Sequence, residues 1–342
     1  MTPAPALPPF AGRASSLRRD NAAMSLGEFD LIAKYFTRPV KHAHLGVGDD
    51  CALFATSPGM QLAVSSDMLV EGRHFLPTVA PQRLGHKALA VNLSDLAACG
   101  ARPVAFTLAL ALPRVDEVFL QGFSQGLFAL ADEHRCELIG GDTTQGPLNI
   151  CITVFGEVPT GQALLRSGAR AGDDVYVSGT VGDARLALEV FRGTAALQGA
   201  DFDSVRGAME QPQPRVALGL ALRSLATSAI DVSDGLLGDL SHILRRSGVA
   251  ATVDVDAVPR SAVLGRQAQA LQRVCTLAGG DDYELVFTAP PDQASAVQAA
   301  AQQAGLPVTR IGTVERGVGL QLVDAQRRPV PHTFGSFDHF SA

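Results

Sequence analysis

No Cys-x-x-Cys pair occurs in this chain. Its five cysteines (Cys51, Cys99, Cys136, Cys151 and Cys275) are scattered, so neither a spaced zinc site nor a disulfide framework is indicated. Reduced thiols in a cytoplasmic protein are the expectation. Long hydrophobic runs are missing as well. The longest apolar stretch lies around Val104 to Leu112, far short of the roughly 20 residues that a membrane-spanning helix needs. Charge of one sign is scarce: the net charge is −6, with no block of like charge and no electrostatic footprint for nucleic acid. The common nucleotide signatures are absent too. There is no Gly-x-x-x-x-Gly-Lys-Ser/Thr, no Gly-x-Gly-x-x-Gly opening a helix after the first strand, and no His-Arg-Asp or Asp-Phe-Gly set of protein-kinase type.

What is there suffices for a large core: 342 residues, of which 46% are hydrophobic, enough for about two domains. The first 23 residues, rich in Pro, Ala and Arg, show no periodicity and no apolar signal core. They read as a disordered leader, and Met24 is an alternative start. "GEFDLIAKYF" places Phe29, Ile32, Ala33 and Phe36 on one helical face. "QLAVSSDMLV" reads as a strand, "PQRLGHKALAVNLSDLAACGARP" as a helix stopped by Gly100 and Pro103, and "VAFTLALALP" as a buried strand. The next helix turns Val118, Phe119, Phe123, Leu127 and Leu130 inward. An N-terminal α/β unit over 24–159 and a C-terminal α/β unit over 160–342 follow. In the second, "AIDVSDGLLGDLSHILRRSG" is a strand and a helix with Ser233 or Asp234 as N-cap.

Aspartates recur beside Gly, Ser or Thr at element ends: Asp49 and Asp50 in "GVGDD", then Asp67, Asp95, Asp142, Asp231, Asp234, and Asp281 with Asp282 in "GGDD". A single such Asp is most often a cap or an Asx-turn. Together they suggest more. A like-charged pair 4 Å apart costs roughly 4 kcal/mol at an effective dielectric of about 20, so several share a site only with cations. Mg²⁺ prefers oxygen ligands, often carboxylates together with substrate phosphates. With no P-loop, phosphate contacts fall to metals, helix N-termini and glycine turns, Gly140–Gly141–Asp142 among them. Arg166 suits a phosphate clamp or an ordinary surface position.

The ordered set "GVGDDCALF", "SSDMLVEGRHFLP", "KALAVNLSDLAACGARP", "LIGGDTTQGPL", "LLRSGARAGDDVYVSG", "AIDVSDGLLGDL" and "LAGGDDYELVF" closely resembles the thiamine-monophosphate kinase family. The likeness runs from about Ser25 to the C-terminus. That family shares an ATP-binding superfamily with aminoimidazole ribonucleotide synthetase and selenophosphate synthetase. The resemblance implies a two-domain α/β fold with mixed sheets, dimerising through the N-terminal sheet. It implies transfer of the ATP γ-phosphoryl group to thiamine monophosphate, giving thiamine diphosphate and ADP without a covalent nucleophile. By the same likeness, Asp50, Ser65, Ser66, Asp67, Asp95, Asp142, Asp231 and Asp234 hold several Mg²⁺ ions. Gly141, Asp142, Arg166 and Ser233 contact ATP. His74, Asp281 and Phe337 contact the thiamine moiety. Ser66 stands where some members carry Thr, Asp281 where some carry Glu, and Phe337 where some carry an aromatic hydroxyl.

On the residues alone, His74 is equally a packed or surface histidine, Phe337 a core residue, and Asp281–Asp282 a turn. A sister enzyme using ATP on another substrate, a two-metal hydrolase and a non-catalytic metal-binding module are the other readings. The C-terminal "FDHFSA" and the lack of Cys before Cys51 count against the relatives that use a reactive cysteine near either end.

Overall fold

The structure is a computed structural model that describes residues 26–335. The expected leader, the alternative start at Met24 and Phe337 lie outside the described residues.

The first half runs α1 (Glu28–Tyr35), β1 (Met60–Val70), α2 (Pro81–Ala98), β2 (Arg102–Leu112), α3 (Glu117–His134), β3 (Glu137–Gln145) and β4 (Asn149–Pro159). Its strands form one sheet in the order β1-β4-β2-β3. Only β2 and β3 pair in parallel, as the intervening helix α3 requires. The second half runs β5 (Asp174–Ser178), α4 (Asp183–Phe191), α5 (Ala200–Glu210), α6 (Val216–Leu222), β6 (Ser228–Asp231), α7 (Leu236–Ser247) and β7 (Ala250–Asp254). It continues with α8 (Ala262–Gly265), α9 (Gln269–Ala278), β8 (Leu285–Ala289), a 3-10 turn, α10 (Ala294–Gln303), β9 (Val308–Glu315) and β10 (Gly319–Val323). These strands make a second sheet in the order β10-β7-β9-β5-β8-β6.

Helix α2 lies between the two halves, touching β1 and β4 on one side and α6 and β6 on the other. It is buried nearly all round, which is why it shows little amphipathic character. Against α3 the approach is close enough to demand glycine. A Cβ on Gly126 would stand 1.8 Å from the Gln82 carbonyl oxygen. One apolar core runs from the first sheet through α2 and α6 to Tyr176, Leu285 and Phe287 on the second sheet. The opposite face of that second sheet is covered by Leu236, Leu237, Leu240, Ile243 and Leu244 of α7, the stripe its sequence spacing predicts.

Three local expectations need correction. Val118 is 80% exposed. It lies five residues before Phe123, about 140° round the helix, and so off the buried stripe. In α1, Leu31 is buried while Phe29 is 82% exposed and Ala33 is also exposed. Lys34 and Tyr35 both bond Glu117 of α3, which rotates the helix about one residue from the expected face. The N-cap of α7 is Gly235, not Ser233 or Asp234. Asp239 in the first turn of α7 reaches back instead, accepting the backbone N–H groups of Ser233 and Asp234 at 3.1 Å each.

Candidate active site

Between the halves opens a cleft of about 1400 Å³, lined among others by Ser65, Asp67, His74, Lys87, Asp95, Arg166, Asp231, Ser233, Asp234 and Asp281. Strand alternation puts Ser65 and Asp67 on the face of β1 that meets α2. Ser65 Oγ donates to Asp95 at 2.5 Å, and the Asp67 backbone N–H donates to Asn92 Oδ1 at 3.0 Å. One residue before Asp95, Ser94 Oγ donates to the buried Asp231 at 2.8 Å. Polar residues of α2 thus bond Asp231 through its side chain and Asp67 through its backbone. Burial raises the proton affinity of Asp67, to about 6, with the charges of Asp95 and Asp234 adding to it. Asp95 and Asp231 are likewise raised, chiefly by burial, and Asp231 further by the charge of Asp95. Asp239 is pushed up to about 7 by burial. Arg166, exposed at the cleft, offsets part of the Asp95 charge.

The second wall of the cleft joins two loops that the sequence shows as separate motifs. The N–H of Asp281 donates to the Ser233 carbonyl at 2.7 Å, and that of Tyr283 to the Val232 carbonyl at 2.9 Å. Gly280, at φ +70°, permits this. A Cβ there would sit 2.6 Å from the Ser233 carbonyl oxygen. His74 follows β1 in a tight turn, and its Nδ1 accepts the Val70 N–H at 3.0 Å. In the neutral ring the proton is therefore on Nε2.

Not every expected residue joins this cleft. Ser66 points to the opposite face of the sheet, bonded to Thr153 Oγ1 at 2.9 Å and to the Ile152 carbonyl. Asp50, Gly141 and Asp142 line a separate hollow of about 410 Å³, beside α1 and the edge strand β3. The register places Asp67, Ile152, Leu108 and Gly141 in one row across the sheet. Three strand spacings of about 4.8 Å separate the ends of that row by roughly 14 Å. Reading motifs along the chain missed Lys87, Asn92, Ser94, Asp239 and Tyr283. For Lys87, Asn92 and Ser94 the available signal was polar residues among the apolar and small positions of one helix; Asp239 and Tyr283 carried none.

The oxygen donors of the cleft fit a hard divalent cation such as Mg²⁺, and their raised proton affinities mark a charge that such a cation would offset. Among the described residues, no three His, Cys, Asp or Glu side chains already form a metal-holding group. The donor chemistry fits such a cation.

Residues 48–158 match the family model for the AIR synthase related protein, N-terminal domain, and residues 170–325 match that for its C-terminal domain. The thiamine-monophosphate kinase of Salmonella typhimurium is 46% identical over 327 residues, covering 93% of this chain and 99% of the relative. That of Escherichia coli is 45% identical with the same coverage. The crystal structure of thiamine-monophosphate kinase from Stenotrophomonas maltophilia superposes with a TM-score of 0.79 at 47% identity, over 87% of this chain and 97% of that one. The solved structure of AaThiL complexed with AMPPCP and TMP superposes at 0.72 with 28% identity, over 84% and 89% of the two chains. Hydrogenase maturation protein HypE in complex with ATP, at 21% identity and a TM-score of 0.72, shares the fold.

Proposed function

The chain belongs to the AIR synthase related proteins and, within them, to the thiamine-monophosphate kinases, and from that premise we propose that it phosphorylates thiamine monophosphate with ATP. The products are thiamine diphosphate and ADP. The observation that carries the reading is the set of mutually repelling carboxylates, half-buried Asp67 and Asp95 with buried Asp231, in one large cleft between the halves. Support comes from the related structure solved with an ATP analogue and TMP.

Phosphoryl transfer asks a protein mainly for positioning and charge neutralisation. An oxygen of the acceptor phosphate attacks the γ-phosphorus in line, the bond to the β–γ bridging oxygen breaks, and ADP leaves. The acceptor is already an anion, so no strong base is needed. Asp67, Asp95, Asp231 and Asp234, with Ser65, would hold Mg²⁺, which supplies neutralisation of the polyphosphate charge. Arg166 and Ser233 bind phosphate oxygens from the same wall. His74 and Asp281 orient the thiamine end, and Phe337 is assigned to that end by the family likeness. Asp50, Ser66, Gly141 and Asp142 are assigned to metal and nucleotide by the same likeness, although they lie off the cleft.

Two further parts of the reading rest on the surface. Leu62, Val64 and Met68 of β1 are 42%, 56% and 53% exposed, all on the sheet face away from α2. Such a row of exposed apolar side chains suits a self-complementary contact, and a C2 homodimer through the N-terminal sheet is the assembly proposed. The division at Pro159 is supported by the two sheets and the two matched family models. No helix among the described residues is long and apolar enough to cross a membrane. A cytoplasmic setting is proposed from the scattered free thiols.

Incubation with ATP and thiamine monophosphate, with and without Mg²⁺, tests the reaction. Thiamine diphosphate should form in the presence of Mg²⁺ and stop on chelation. Release of free phosphate without thiamine diphosphate would identify a hydrolase instead.

A further inference from the structure

Lys87 has no part in the chemistry above, yet it is 2% exposed and heads the fully buried side chains by size. A lysine is retained in such a place only with partners for its charge. Its Nζ donates to Asp281 Oδ2 at 2.5 Å and to the Met209 carbonyl at 2.9 Å. The partners come from the loop before β8 and the last turn of α5, so three elements distant in sequence meet at one ammonium group. Lys87, Val91 and Asp95 follow one another at four-residue spacing, on one face of α2, and all line the cleft. At 1.5 Å per residue, α2 sets Lys87 about 12 Å along its axis from Asp95. One rigid helix therefore spaces the carboxylate end of the cleft from its cationic end.

Asp281 is held with unusual care. Its φ of 62° is left-handed, a conformation costly for any residue but glycine and found where the surroundings over-determine it. The Tyr283 hydroxyl bonds to the Asp281 side chain, and the same hydroxyl feels the charges of Asp67 and Asp231. Asp281 thus stands near the other carboxylates, with one of its oxygens held by Lys87. The Asp281 side chain is 34% exposed, enough to meet a ligand.

We propose that Lys87 is a positioning residue of the acceptor subsite: through Asp281 it fixes where the cleft wall presents negative charge to the cationic ring of the acceptor. The proposal rests on the kinase reading above. Without the ammonium group, the Asp281 carboxylate is no longer fixed in place and is lost to the acceptor.

The test is a double-mutant cycle on the full chain: Lys87→Met, Asp281→Asn and the two together. Thiamine diphosphate is the readout, and the two substrates are varied separately. Methionine keeps the apolar stem and removes the charge. Lys87→Met should raise the thiamine monophosphate KM about 10-fold, the worth of one charge-assisted hydrogen bond, and move the ATP KM less than about 2-fold. In the Asp281→Asn chain the same change should add less than about 2-fold, because Lys87 acts through Asp281. Equal shifts in both KM values, or an effect that multiplies in full on that of Asp281→Asn, would overturn the role. Should Lys87→Met not fold, Lys87→Arg carries the same cycle. Its larger head group displaces the carboxylate and should matter only where Asp281 is present; equal effects in both backgrounds overturn the proposal. A wild-type chain that makes no thiamine diphosphate overturns the kinase reading, whereas wild-type turnover with an additive cycle overturns only Lys87.

Discussion

Asp231 shows how one residue can serve activity against stability. It is buried among carboxylates, and its proton affinity is raised by burial and by Asp95. Asp231→Asn keeps an acceptor for Ser94 and removes the charge. Turnover should fall by at least about 100-fold, since a charge-neutralising group is typically worth that much or more. Stability at pH 8 without divalent cations should rise, because a buried charge that Asp95 repels is removed. Denaturant titration beside the kinase assay checks both signs, and a variant that is less stable and still active refutes the assignment. The same groups set a pH dependence. Asp239 titrates at about 7 in the folded chain against an ordinary 3.8, so the folded state holds a proton that the unfolded state has released. Its contribution is therefore lost as pH rises towards and beyond 7, and the raised Asp231 acts in the same sense. Half-buried His134 and exposed His242 have lowered proton affinities, chiefly from partial desolvation, and act in the opposite sense, but only below their ordinary 6.5. Metal-free stability should fall between pH 6.5 and 8, and Mg²⁺ should recover more of it at pH 8 than at pH 6.5. Thermal melts with chelator and with Mg²⁺ measure this; a metal-free melting temperature that climbs across the window contradicts it.

At the scale of elements, α2 decides most. Twelve of its residues are buried, including Lys87, Asn92 and Ser94. Each of these three bonds a residue of the cleft wall. Its position depends on its close approach to α3 at Gly126 and Gln82. Gly126→Ala forces the two helices apart and should cost about 1–3 kcal/mol, the usual range for overpacking. Because the displaced helix carries Asp95, kcat should fall too, although Gly126 touches no ligand. A Gly126→Ala chain with unchanged stability and kcat would show that the helices separate without cost. The carboxylate motifs, the strand β1 and the stripe of α7 were legible because glycine, alternation and four-residue spacing are local signals. The buried stripes of α1 and α3 were only partly legible, since their rotation depends on Glu117 and on the neighbouring helix.

For the whole molecule, the arrangement of the two hollows carries a consequence for assembly. Asp67 and Gly141 lie at opposite edges of one sheet, three strands apart. The exposed apolar side chains of β1 lie on the same face as Ser66. A dimer through that face would cover them and bring a second copy to the sheet. Sedimentation at micromolar concentration should give a dimer, and Val64→Lys should shift it towards monomer by burying an unpaired charge in the contact. A monomeric wild-type chain rules the assembly out.

The sequence by itself pointed to a class of chemistry. Recurrent Gly-Asp and Ser-Asp pairs, without a P-loop or a nucleophile, point to oxygen-ligated cations and phosphate whatever the fold. It also determined most strands and the α7 helix, because side-chain period is a property of neighbouring residues. Only the tertiary structure decided which aspartates share a space. Asp67, Asp95 and Asp231 meet because α2 is clasped between two sheets, while Asp142 is carried to the far edge by strand order and Asp50 by the loop whose backbone bonds Glu137 of β3. Only the tertiary structure showed that Lys87 ends on Asp281, 194 residues away. No local pattern records that pairing, because it is fixed by packing between elements that have no spacing in common.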